Sequence, residues 1–121
     1  MKTAIAFIAF GLIAFGPAAL IAPESAASLF GVSIHTQESH VYLLAAATRD
    51  VVFGAWFLVL LLLRANRRLL SASLLILSLV PLCDGVNVLV HSGPRSLLTL
   101  IIHFGSLAIL ILFGGWLWRK D

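Results

Sequence analysis

Charge is what this sequence has least of. Only 11% of its 121 residues are Asp, Glu, Lys or Arg, against 61% that are hydrophobic. A soluble domain carries roughly 25% charged residues, so a water-facing globular class is excluded. Cysteine is nearly absent as well. Cys83 stands alone, so no intrachain disulfide can form and no redox compartment can be inferred. Cys83 itself reads as a small buried hydrophobe. The net charge is only +3, and the basic residues sit at the ends of apolar runs. Membrane topology explains such a placement, and it gives no nucleic-acid signal. There is no internal repeat, no low-complexity tract and no polar stretch long enough for a soluble domain.

What is present is a set of long apolar runs. A spanning helix needs roughly 20 residues, so the chain has room for about four crossings. The expected fold is all-α: a membrane-embedded four-helix bundle spanning 1–121 as one domain, with a short interfacial helix between helices one and two. Helix one is expected from Thr3 to Leu20, bent or loosened at Gly16-Pro17, with Gly11 offering close packing. Its lysine-led apolar start resembles a secretory signal, but it is read as the first spanning helix. Pro23 to His40 is the longest polar connection. Pro23-Glu24 suits the first turn of a short helix and Gly31 its end. Ala26, Ala27, Leu29 and Phe30 give it an apolar side, which is expected on the membrane surface as a connector or a lid.

Helix two is expected from Val41 to Leu63, and Arg64 to Arg68 make a basic turn. Helix three is expected from Leu69 to Val90, interrupted by Pro81. Ser92-Gly93-Pro94 forms a second turn, and helix four runs from Arg95 to Trp118. Lys2, Arg64, Arg67, Arg68, Arg119 and Lys120 fall on one side and Arg95 on the other. Both termini are therefore expected in the cytoplasm, in a cytoplasmic-type membrane.

Against that background the ionisable residues inside the apolar runs stand out. Ionised groups at membrane depth are costly and mark function by default. Arg49 and Asp50 lie roughly 12 Å in from the outer end of helix two, and His103 roughly as far into helix four. Asp84 lies roughly 10 Å from the outer end of helix three. Three helices thus place ionisable groups at one depth, while the inner halves read as almost purely aliphatic. Helical spacing gathers Asp84, Asn87 and His91 on one face, Ser96, Thr99, His103 and Ser106 on another, and Tyr42, Arg49 and Trp56 on a third. Each stripe is expected to point into the bundle. Gly85 beside Asp84 and Gly105 beside His103 are expected to allow close approach.

Each group carries two readings. Arg49 neutralises a carboxylate and pins helices together, or it stabilises charge in a reaction. His103 is a satisfied interior histidine or a proton-transfer group. Asn87 bonds between helices or holds substrate. Tyr42 marks the interface or orients substrate, and Trp56 and Thr99 join it as candidate binding residues. His103, Asp84 and His91 come nearest to a metal set, but they are not tight enough to assign a metal, and no cofactor is expected.

The run Ala47-Thr48-Arg49-Asp50 with Gly54, then Asp84-Gly85, His103-Phe104-Gly105 and Gly114-Gly115-Trp116, resembles the small membrane proteins grouped as domain of unknown function 4267. Ser28-Leu29-Phe30-Gly31-Val32 is similar to the same family and its DoxX-like relatives. The resemblance covers almost the whole chain and implies a four-helix bundle with a polar core. It implies no reaction.

The first functional expectation is binding and conversion of a lipophilic small molecule, a terpenoid, sterol or quinone-like compound, by acid–base chemistry. Hydrolysis, isomerisation or cyclisation would suit the residues. Limonene-type epoxide hydrolases have a polar set of similar composition on a different fold. Here Asp84 would act as acid or base with Asp50 as its partner. Arg49 would stabilise charge and His103 transfer protons. The second expectation is a non-catalytic subunit of a larger membrane complex, or a homo-oligomer, with the polar layer holding helices together. Transport is disfavoured because the inner halves offer no polar path.

Overall fold

The computed structural model of the chain describes residues 1–92 and 97–120, apart from the side chain of Ser92. The expected turn at Gly93-Pro94, together with Arg95, Ser96 and Asp121, lies outside the described residues. Among the described residues six helices are formed: α1 (Lys2–Ile21), α2 (Pro23–Leu29), α3 (Gln37–Leu62), α4 (Arg67–Leu77), α5 (Leu79–Ser92) and α6 (Leu97–Trp118). No strand occurs among the described residues. Among the described residues four stretches, Lys2–Ile21, Gln37–Leu62, Arg67–His91 and Leu97–Trp118, are long and apolar enough to cross a membrane. They suggest an integral membrane protein, as the composition does.

The helix ends follow local chemistry. α2 stops where Gly31 takes φ +73°, a conformation only glycine adopts freely. The Val32 amide then reaches back to the Ala27 carbonyl at 3.0 Å, which closes a Schellman motif. α3 starts at Gln37 rather than at Val41. Thr36 is extended, and its hydroxyl accepts from the Ser39 amide at 3.2 Å. The Thr36 amide in turn donates to Ser39 Oγ at 3.2 Å, so a capping box holds a polar first turn that hydropathy alone does not register. Helix three breaks at Ser78, one turn before Pro81. Proline has no N–H to return to the Leu77 carbonyl. Pro17, by contrast, sits inside α1 without ending it.

Contacts divide the chain into two compact units, Met1–Ser28 with Val32–Arg64 and Leu29–Gly31 with Ala65–Asp121. In the first, α1 packs along α3. A Cβ on Gly54 would come within 2.6 Å of the Ala9 carbonyl oxygen, and one on Gly16 within 2.5 Å of Val51 Cγ2. Ala19, Ala26, Ala27, Leu43 and Ala47 form a small-residue core with Phe15 and Ile34. The apolar side of α2 is thus largely buried on protein, with Leu29 left exposed. In the second unit, α4 and α5 pack on α6. Ser71 Oγ donates to the Gly114 carbonyl at 2.6 Å in a buried bond, and Leu75 fills the space above Gly114. Ser71, Ser73 and Ser78 are all buried, so α4 is less purely aliphatic than its hydropathy implies. Gly11 and Gly105 make no close approach, since a Cβ on either would meet nothing within 4 Å.

Candidate functional site

The buried face of α3 is built from Leu43, Ala47, Asp50, Gly54 and Phe57, spaced four and three apart. Small residues on this face let α1 come close, and Asp50 is carried inward with them. Asp50 is 8% exposed. Arg49, half-buried on the edge of the face, turns its Nε onto Asp50 Oδ1 at 3.1 Å. Thr48, on the other side of the pair, uses its hydroxyl on the Leu44 carbonyl at 2.8 Å. Tyr42 and Trp56 are 58% and 47% exposed. The expectation that Tyr42, Arg49 and Trp56 all point inward is therefore corrected. Their spacing does define a stripe, but the buried stripe lies one residue further on, a rotation of roughly 100°. Ala47 and Gly54 mark it by their size.

The same offset recurs on α5. Its buried positions are Pro81, Gly85 and Val88, while Asp84 is half-buried and Asn87 and His91 are exposed. His91 Nδ1 lies 2.9 Å from the Asn87 carbonyl oxygen, a bond along its own helix. The inward orientation expected of Asn87 and His91 is corrected accordingly. Cys83 is exposed rather than buried. On α6 the expected stripe does turn inward at Thr99 and His103, 3% and 5% exposed, but Ser106 is exposed.

Around His103 the second unit is densely packed. A Cβ on Gly85 would come within 3.2 Å of His103 Cβ and 3.1 Å of the Phe104 ring, so Gly85 does permit the close contact expected of it. Phe30 meets the His103 ring edge-on, with centroids 5.3 Å apart. A Cβ on Gly31 would lie 2.9 Å from Thr99 Cγ2 and 3.2 Å from Val88 Cγ1. Phe30 and Gly31 are thus site neighbours that the sequence reading left in the connection. The signal for them was Gly31 as a helix stop.

Arg49 and Asp50 belong to the first unit, as do Tyr42 and Trp56. Asp84, Asn87, Thr99 and His103 belong to the second. Chemically, the first unit offers an ion pair within one helix. The second offers a half-buried carboxylate on one helix and a buried imidazole and hydroxyl on the next. An imidazole can take up or release a proton near neutral pH, and a carboxylate can serve as its partner. Among the described residues no three His, Cys, Asp or Glu side chains gather as metal ligands.

The family model described as Domain of unknown function (DUF4267) matches residues 9–117. The chain belongs to this family. The DUF4267 match takes in every one of the polar residues just described. No curated protein and no solved structure matches the chain. The family description names no reaction, so the chemistry of this DUF4267 protein has to be argued from its side chains.

Proposed function

We propose that this DUF4267 protein binds a lipophilic small molecule at the polar face of its second unit and converts it by acid–base chemistry. The observation that carries the reading is buried His103, packed against Gly85, whose chain neighbour is the Asp84 carboxylate. Groups of this kind are expensive inside apolar helices and are kept where they serve a purpose. In the proposed reaction Asp84 accepts a proton and His103 supplies one. Thr99 and Asn87 orient the substrate. For an epoxide, water oxygen bonds to a ring carbon while Asp84 takes the water proton. The ring C–O bond breaks, and His103 protonates the released oxygen. Proton return from Asp84 to His103 restores both groups, and the net change is addition of water. A terpenoid, sterol or quinone-like compound is the substrate class. Arg49 and Asp50 serve as the ion pair of the first unit. We also propose that both termini face the cytoplasm, supported by the basic residues grouped at alternate helix ends.

A second reading, a non-catalytic subunit held together by its polar groups, is favoured by the tight contacts at Gly31 and Gly85, which leave little space beside them. Asp84→Asn separates the two, because it keeps shape and most hydrogen bonding but removes the titration. Wild type and variant would be incubated in detergent with epoxides, sterols and polyprenyl quinones, with products followed by mass spectrometry and thermal stability measured in parallel. Conversion by wild type that is lost in a folded Asp84→Asn protein is the expected result. A wild type that converts nothing and is stabilised by nothing, with a variant that melts early, transfers the assignment to the packing role.

A further inference from the structure

One end of the second unit gathers cationic side chains from two distant stretches of sequence. Arg67 and Arg68 open α4, while Arg119 and Lys120 follow α6, and all four are exposed. The two stretches are bonded to each other, because Arg67 Nη1 donates to the Lys120 carbonyl at 3.2 Å. That bond uses one of the five N–H donors of the guanidinium. Lys120 Nζ lies 5.1 Å over the Trp116 ring, and Trp116 stacks on Phe113 with centroids 5.9 Å apart. Trp118 is exposed alongside. No acidic residue occurs from Ala65 to Cys83 or from Gly85 to Lys120, and Asp121 lies outside the described residues. Orientation of a helix in a membrane needs only a count of charges near its ends. A bonded junction of two basic segments with tryptophans beside it is more than a count.

We propose that this end of the second unit is a binding surface for anionic phospholipid headgroups. Guanidinium groups match phosphate oxygens in geometry and charge. Tryptophan rings settle at headgroup level, where one edge is apolar and the other wet. Basic residues clustered just beyond a spanning helix attract acidic lipid, each adding to the affinity. The inference is independent of the chemistry proposed for Asp84 and His103.

The experiment uses the whole chain in lipid nanodiscs, in a Trp56→Phe background, so that fluorescence reports Trp116 and Trp118. Brominated phosphatidylglycerol and brominated phosphatidylcholine serve as quenchers. Stronger quenching by the anionic lipid is expected, with the relative affinity for that lipid falling about fivefold for each of Arg67→Gln, Arg119→Gln and Lys120→Gln. Arg67→Lys and Arg119→Lys should retain most of the preference, and Lys2→Gln, in the first unit, all of it. Helicity and thermal midpoint confirm folding of each variant, and the variants that keep the wild-type midpoint carry the test. Equal quenching by the two lipids overturns the proposal. Loss of preference in Lys2→Gln also overturns it, since the effect would then be one of net charge. Displacement by millimolar inorganic phosphate overturns it in favour of a soluble-anion site.

Discussion

Asp50 is carried to the inside of α3 by the helical repeat, and Arg49 reaches it from the neighbouring position without leaving the helix. A hydrogen bond between charged groups contributes about 1.5–3 kcal/mol, and removing either side chain removes that bond. The Arg49 side chain is 32% exposed, which places its share toward the lower end. Arg49→Ala and Asp50→Ala should therefore each lower stability by about 1–3 kcal/mol in denaturant unfolding from detergent. The double variant should cost less than the sum of the two. Strict additivity would show that the groups are not coupled. That Arg49 and Asp50 stand apart from their surroundings is legible from charge alone, because ionised groups are rare in runs this apolar. Where each side chain points is not. Tyr42, Arg49 and Trp56 share a spacing, as do Asp84, Asn87 and His91, but spacing gives a stripe and not its direction. In soluble helices the polar stripe faces out, which supplies the direction. In a helix that is apolar all round that cue is gone, and only the small residues Ala47, Gly54 and Gly85 replace it.

At the scale of helices, the contacts are set by where a Cβ is missing. Gly54 sits against the backbone of Ala9 and the side chain of Ile13. Gly54→Ala forces α1 away from α3 and should cost about 1–3 kcal/mol, the usual range for overpacking. Gly11→Ala meets nothing, and by helix propensity should be neutral or stabilising by up to about 1 kcal/mol. Thermal midpoints of the two variants in the same detergent test the contrast. Equal effects would remove close α1–α3 approach as an explanation. From sequence, Gly11 and Gly54 look alike, since both are glycines within apolar helices. The partner surface separates them, and it belongs to another segment of the chain. Helix breaks were easier to read. Pro81 and Gly31 act on their own backbone, so their effects are local. The start of α3 at Gln37 is not legible in hydropathy, because Thr36 and Ser39 act through hydrogen bonds.

For the whole molecule, the number of long apolar helices follows from composition and length, and it is legible in the sequence. An even number of crossings returns the chain to the side it started from. Reporter fusions after Lys120 and before Met1 should therefore give the same sidedness, with the opposite one for a reporter inside Pro23–His40. Equal signals at all three positions would overturn the topology. The family to which the chain belongs was legible from short motifs spread along it. The division into two units was not, because it depends on which surfaces meet. One detail of that division bears on how the protein is made. Leu29–Gly31 group with α4–α6, although the residues on either side group with α1 and α3. A ribosome adding roughly 5–20 residues per second delivers α1 and α3 several seconds before α6. The first helix pair can associate as soon as residue 64 has emerged. Phe30, however, waits for His103, and Gly31 for Thr99. During that interval a short apolar segment has its own helix end formed but its neighbours not yet synthesised. By the order of translation this turn is among the first segments to leave the ribosome and meets the residues it packs against only later.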